Sequence, residues 1–485
     1  MRKTLLAVAV GAAVSLGACS DANDSSTTEN KTASTETSKD SSQQAKETNP
    51  FFKASSLQYQ APDFDAIEFK HFEPAFERGM EEHMAEIEAI ATNSAEPTFE
   101  NTIVEMEKAG EILGRVSSVF YNLSSSNSSD EIRELQGKLA PEMASHRDNI
   151  MLNPDLFARV KSLFDNRDSL DLDSESERLL EDTYKGFVRA GAELNDEQKQ
   201  QIRDINEELS SLTTEFQKSL MALTNENVIV VDDKEQLAGL SDSKIASLAK
   251  AAESRDMEGK YAITLTNTTR QSILTDLENR ELRQKIWETS ANRGSGNTET
   301  DTRPMVQRLT KLRADKAKLL GFDSWGDYVL ADNMAGTPEA AQSMLRDLVP
   351  AVVSNVEKEA EEVQAMIEAE GEDFELKPWD WFYYAEKVRE EKYAIDADEV
   401  KQYFEFNRVL EDGVFYAMNQ LFGITFEERN DIPVYHDDVV VYEVKDVDGS
   451  SIGLFYADYF TRDSKRGGAW MSSFRTQSEL MNQKP

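Results

Sequence analysis

Phe72, Phe76, Met80, His83, Met84 and Ile87 recur at three- and four-residue steps, the spacing that lines one side of an α-helix. Thr98-Phe-Glu-Asn-Thr-Ile-Val opens another such pattern, with polar residues ahead of the apolar stripe. The same period predicts helices over about 130–147, 175–191, 196–223, 243–253 and 269–293. It continues over about 303–320, 323–330, 338–369, 379–392 and 398–422. Two short β-branched runs interrupt the series, Asn227-Val-Ile-Val-Val-Asp and Tyr261-Ala-Ile-Thr-Leu-Thr, and are expected to pair as a small sheet. Val439-Val-Val-Tyr-Glu-Val, the turn Asp448-Gly-Ser and the run from Ile452 to Phe460 predict a β-hairpin. Gly468-Ala-Trp-Met-Ser-Ser-Phe is expected to add a third strand. The predicted class is mainly α, a large multi-helix body with a small β hairpin or sheet near the C-terminal end.

The first residues follow a different logic. Arg2 and Lys3 precede the apolar run 5–16, too short to span a bilayer but matched to the charged and hydrophobic parts of an export signal. The run ends in Leu16-Gly17-Ala18-Cys19, which resembles a bacterial lipobox, so Cys19 is the expected lipidation site. An ordinary cleaved signal with a chance cysteine is the alternative. Residues 19–49 then form a polar tether whose side chains cannot bury enough surface to offset ordering entropy. The expected division is a signal at 1–18, the tether at 19–49, a helical region at 50–293, and a second region at 294–485 after Arg293-Gly-Ser-Gly-Asn-Thr. Ser20 after the cysteine points to an exported protein, lipid-anchored at the outer membrane and facing the periplasm.

Charge narrows the partners. With 53 Lys+Arg against 91 Asp+Glu the formal charge is −38, which repels phosphate backbones and anionic headgroups. Nucleic acid is excluded as an expected partner, and the membrane is reached only through the N-terminal lipid. A single cysteine excludes a disulfide framework and a cysteine-based structural zinc site. The four histidines, His71, His83, His146 and His436, include no two within five residues of each other, so the chain has no His-Glu-x-x-His helix. His71 and His83, twelve apart in one acidic amphipathic helix, read as surface or core-edge histidines rather than metal ligands. No Gly-x-Ser-x-Gly elbow, P-loop or dinucleotide fingerprint occurs. Neither a catalytic residue nor a metal ligand set is expected in this chain. Trp379, Trp381, Tyr383 and Tyr384 cluster at a predicted helix start, as core packing or as a channel wall.

Longer motifs are more specific. The run from Pro62-Asp-Phe-Asp-Ala-Ile to His71-Phe-Glu-Pro-Ala-Phe, with Thr98-Phe-Glu-Asn-Thr-Ile and Asn206-Glu-Glu-Leu-Ser-Ser-Leu, resembles the thimet-oligopeptidase family of zinc metallopeptidases. Arg313-Ala-Asp-Lys-Ala-Lys-Leu-Leu-Gly-Phe, Lys377-Pro-Trp-Asp-Trp-Phe-Tyr-Tyr and Lys465-Arg-Gly-Gly-Ala-Trp carry the same resemblance, with the peptidyl-dipeptidase branch most similar. It implies a two-lobed helical body around a deep channel, oligopeptide substrates, and zinc as cofactor of the full-length enzyme, held on a His-Glu-x-x-His helix beyond the Gly-Gly-Ala-Trp segment. The chain is therefore expected to be the N-terminal portion of a peptidase that releases dipeptides from peptide C-termini, binding no zinc and inactive alone. A non-catalytic peptide-binding helical lipoprotein is the alternative. The resemblance makes Gly467, Gly468, Ala469 and Trp470 the expected substrate-binding residues, on a strand whose open edge pairs with an extended peptide. A glycine-rich turn entering a buried strand is the other reading of those four positions.

Overall fold

The computed structural model describes residues 49–295, 300–395 and 397–485. The expected signal, the tether up to residue 48 and the lipidation site Cys19 lie outside the described residues, as does part of the Gly/Asn/Thr stretch after Arg293. The body is mainly α, as the periodicity requires, with two small antiparallel sheets.

The first core forms where helix α1 (Phe72–Ala91) crosses α2 (Glu111–Ser126). Gly79 permits the close approach, because a Cβ there would lie 2.9 Å from the Leu113 backbone. Phe120 then reaches both Phe72 and Phe76, with ring centroids 5.3 Å away in each case and edges turned to faces. Helix α3 (Asp130–Met151), capped by the Ser129 hydroxyl, closes this core with Leu135 and Leu139. Helix α4 (Pro154–Asp165) has a start signature that the periodic reading passed over: the Asn153 side chain accepts from the amides of Asp155 and Leu156, and Pro154 occupies the first turn. Its Leu156, Phe157 and Val160 join α5 (Ser174–Ala190) in a second core. Helix α6 (Asp196–Glu226) begins on a reciprocal Asn195–Gln198 capping box and packs on α3.

Strands β1 (Ile229–Val231) and β2 (Tyr261–Ile263) pair antiparallel, Ile229 opposite Ile263, as their β-branched runs predict. With α7 (Asp242–Glu253) they bury a third core under the next helical segment. That segment departs from the expected single helix over 269–293. It divides into α8 (Asn267–Asp276) and α9 (Arg280–Ala291). Asn279 caps α9 by accepting from the Leu282 amide, and the buried Arg283 guanidinium takes the carbonyls of Leu277 and Glu278 that helical continuation would have used.

The chain continues through α10 (Arg303–Leu319), α11 (Trp325–Leu330), α12 (Pro338–Ala369) and α13 (Trp381–Tyr393). Fully buried Asp380 accepts from Arg280 at 2.9 and 2.8 Å and from Arg283 at 3.1 Å, tying α9 to the start of α13. Around it Trp379 meets Trp287 edge-on and Arg283 lies 4.2 Å from the Tyr383 ring centre, so the aromatic cluster of the sequence packs here. The predicted helix over 398–422 is also broken: Glu405 caps a fresh start by accepting from the amides of Asn407 and Arg408, and a π turn follows at Val409–Phe415.

The second sheet has order β3 (Thr425–Glu428), β4 (Val440–Lys445), β5 (Ser451–Ala457). The hairpin between β4 and β5 matches its prediction, with Tyr442 opposite Phe455. The expected third strand at 468–474 does not join. Its place beside the hairpin is taken by β3, on the far side of β4, leaving β5 as an edge.

Helix α12 buries Val363 and Ile367 against Tyr384 near its C-terminal end. Its N-terminal half does the opposite: Met344, Leu345, Leu348, Val349, Val352, Val353 and Val356 form one stripe, each between 45% and 63% exposed. Anilinonaphthalene sulfonate is expected to bind the native chain there. The double substitution Leu348→Glu, Val352→Glu should reduce the native dye signal by about half with helical content unchanged, and an undiminished signal in a folded double variant would assign the dye to another surface.

Candidate functional site

A cleft of about 510 Å³ opens beside the second sheet. One wall is the end of β5 and the chain after it, from Leu454 to Thr461, and the other is the segment from Gly468 to Arg475. Tyr59, Pro62 and Tyr435 line it between the walls. The first wall is a strand as far as Ala457, the second is irregular chain with bends at Gly468, Phe474 and Arg475, and the two do not pair. Among the described backbone hydrogen bonds, the free edge of β5 makes only that from the Leu454 amide to the Pro485 carbonyl, at 3.3 Å. The walls meet through side chains instead, Tyr456 against Phe474 at 5.2 Å, with Phe64 bridging Phe474 and Tyr435 at 5.6 and 5.3 Å.

The loop that joins the walls is held by one carboxylate. Asp458, from the end of β5, accepts two hydrogen bonds from Arg462 at 2.8 and 2.7 Å and one from the Tyr435 hydroxyl at 2.8 Å. Its Oδ1 lies 2.8 Å from Lys465 Nζ. Burial raises the Asp458 pKa, but Arg462, Lys465 and Tyr435 outweigh it and hold the carboxyl down at about 2. The same burial, with the Asp458 charge, pushes the Tyr435 phenol up to about 12. Arg462 passes the connection on, donating at 2.6 Å to the carbonyl of Ser126, the last residue of α2. The Arg466 amide donates to the Ser125 carbonyl at 2.8 Å and the Ser128 amide to the Ser464 carbonyl at 2.9 Å. Carbonyls that end a helix without partners thus receive the loop, and a guanidinium sits at the negative end of the helix dipole.

Of the expected substrate-binding residues, Gly468, Ala469 and Trp470 line the cleft, whereas Gly467 precedes the wall and does not. Gly468 turns the chain with φ +112 and has nothing within 4 Å of where a Cβ would stand. Trp470 lies under the Arg466 guanidinium, 4.7 Å from ring centre to carbon. The sequence reading missed Asp458, Arg462, Tyr435 and Tyr456. The Tyr456 hydroxyl is buried, has no hydrogen-bond partner, and belongs to a phenol that burial keeps protonated far above neutral pH.

The histidines do not build a zinc centre. His71 Nδ1 accepts from the Glu68 amide and His436 Nδ1 from the Asp438 amide, each acting as a local cap. His83 Nδ1 and His146 Nε2 share a hydrogen bond at 3.0 Å across α1 and α3, which occupies the lone pair of whichever ring accepts. Burial, then the neighbouring His83, draws His146 down to about 4, so the pair stays neutral at pH 7. Among the described residues no group of three or more His, Cys, Asp or Glu stands in a metal-holding arrangement. The described residues do not fit the zinc that the resemblance implies.

Asp458→Ala would take the carboxylate away from the partly buried Arg462 and Lys465, which keep only the Ser126, Asp458 and Phe460 carbonyls and a more distant Asp438, a loss of about 1.5–3 kcal/mol by the usual worth of charge-assisted hydrogen bonds. Because the folded pKa lies below the ordinary 3.8, the carboxylate's contribution is full above that value and is lost as pH falls towards about 2. Denaturant midpoints of the wild type and the variant should therefore converge on acidification over that range, and a gap that stays constant would remove Asp458 from its place as the hub.

Comparison with known proteins gives the family. A family model described as Peptidase family M3 matches residues 273–485. Dipeptidyl carboxypeptidase of Escherichia coli is 45% identical over 90% of this chain and 64% of its own length. Oligopeptidase A of Salmonella typhimurium is 29% identical over 87% of this chain and 62% of its own length. An organellar oligopeptidase A of Arabidopsis thaliana, chloroplastic and mitochondrial by name, is 29% identical over 87% of this chain and 54% of its own length. The chain spans 64% of the length of the first of these and less of the others. These relatives overturn the expected outer-membrane location. The folded body, which carries the similarity, is shared with proteins that include an organellar one, and a charged and apolar stretch at 1–18 cannot set the location of that body by composition alone. The motifs, the matched region and the identities agree, and the chain belongs to the thimet-oligopeptidase family of metallopeptidases, peptidase family M3, with greater similarity to dipeptidyl carboxypeptidase than to oligopeptidase A.

Proposed function

We propose that this chain forms the peptide-holding part of a peptidyl-dipeptidase, a hydrolase acting on the C-terminal end of oligopeptides. The observation that carries the reading is the open edge of β5 lining a cleft whose opposite wall is the unpaired segment 468–475. An open strand edge takes up an extended peptide about 4.8 Å away by main-chain hydrogen bonds, and the cleft leaves that side of β5 accessible. Backbone pairing of this kind tolerates many sequences, as an enzyme of oligopeptides requires. Gly468 and Ala469 carry little or no side chain and leave the wall's backbone open to approach.

Zinc, in this family, polarises the scissile carbonyl and activates water. The residues of this chain do not assemble its site, so their part is to bind and align the peptide, and the chain by itself is inactive. A peptide-binding protein without catalysis would use the same cleft. Metal analysis of the chelator-washed chain should find no stoichiometric zinc, and incubation with oligopeptides should release no dipeptide; one tightly held zinc per chain with chelator-sensitive release would overturn this assignment.

Ala469→Phe places a ring in the slot without touching the Asp458 hub. Calorimetric titration with an uncharged, N-acetylated and C-amidated hexapeptide should show binding to the wild type and roughly tenfold weaker binding to the variant. Equal affinity, with the variant's circular dichroism unchanged, would move the peptide site away from this cleft.

A further inference from the structure

The charge of the cleft runs against that of the chain. Its charged lining residues are Lys465, Arg466 and Arg475 against the single carboxylate of Asp458, in a protein of formal charge −38. The three cations are not equivalent. Lys465 is spent on Asp458 and on the carbonyls of Asp458 and Phe460. Arg475 donates to the Tyr59 carbonyl at 2.9 Å. Arg466 is committed only through its backbone amide, and its guanidinium meets no carboxylate among the described residues. Its carbon lies 4.7 Å from the Trp470 ring centre, so the ring covers one side of an otherwise exposed guanidinium whose fork of N–H donors suits a carboxylate. A low-polarity aromatic face beneath the cation also reduces its hydration, which strengthens pairing with an incoming anion.

We propose that Arg466, braced on Trp470, binds a carboxylate of the peptide in the cleft and makes this site selective for peptides that present one there. The proposal rests on the peptide-binding reading of the same cleft and adds the chemical class it prefers. Two sources carry the group, an acidic side chain or the free C-terminus of the peptide.

The experiment uses the full 485-residue chain and four N-acetylated hexapeptides: one with a central Glu and a free C-terminus, its Glu→Gln form, its C-amidated form, and the form with both changes. The expected result is a loss of roughly tenfold in affinity for the wild type when the recognised carboxylate is removed, shrinking as ionic strength rises. The Glu→Gln peptide alone losing affinity assigns the side chain, and the amidated peptide alone losing it assigns the terminus. Arg466→Gln, a change at an exposed residue, should bind all four peptides as the wild type binds the doubly neutral one. Four equal affinities in the wild type would overturn the carboxylate site while leaving the cleft as a peptide site. Discrimination that survives in Arg466→Gln would overturn the assignment to this residue. Binding of no peptide at all would instead defeat the underlying peptide-binding reading, and the carboxylate site with it.

Discussion

The arrangement of the second sheet against the N-terminal helices depends on one half-buried carboxylate. Asp458 gathers Arg462, Lys465 and the Tyr435 hydroxyl, and Arg462 carries the connection to the last carbonyl of α2. Desolvating these charges is costly, and the cost is offset because the two terminal nitrogens of Arg462, the Lys465 ammonium and the Tyr435 hydroxyl find acceptors at close range, although Arg462 Nε has none. The geometry follows from a general deficit: a helix ends with carbonyls that lack partners, and here a loop from more than three hundred residues later supplies them. The cleft walls leave this hub in two directions, so its shape is inherited from the packing of α2, which Gly79 and the phenylalanines fix.

Local pattern made most of the fold legible. Helices with a sustained apolar stripe and a cap, such as α1 and α6, stand close to where their periods place them. The expected helices that divide do so for reasons absent from periodicity. Arg283 is apolar-patterned by position yet takes two carbonyls that would otherwise continue the helix, and Glu405 restarts one by capping. The third strand went astray for a related reason. Both 425–428 and 468–474 are short segments able to extend, and which of them pairs is decided by distant contacts, Phe474 being drawn to Phe64 and Tyr456 rather than into a ladder.

The site was legible only in part, and along one line. Gly468, Ala469 and Trp470 could be named because motifs around them resemble a family, whereas Asp458 and Arg462 offered no spacing that predicts a hub in a chain dense with charge. The histidines show the limit from the other side. His83 and His146 are 63 residues apart and unremarkable in sequence, yet they form a hydrogen-bonded pair between α1 and α3. Titratable groups brought together by helix crossing are invisible to any short-range pattern, and here the crossing gives them a structural part that competes with metal ligation.

The loop that closes the cleft is also the joint between the two halves of the body, and that coincidence couples occupancy to cohesion. A peptide spanning β5 and the Gly468 segment would add its own hydrogen bonds across the seam that Asp458 and Arg462 secure. By mass action a ligand at a hundred times its dissociation constant contributes about 2.7 kcal/mol to whatever state it selects, comparable to one strong buried contact. The protein would thus be most tightly knit while occupied and would loosen on release, so that its resistance to unfolding and to proteolysis becomes a readout of how much peptide surrounds it.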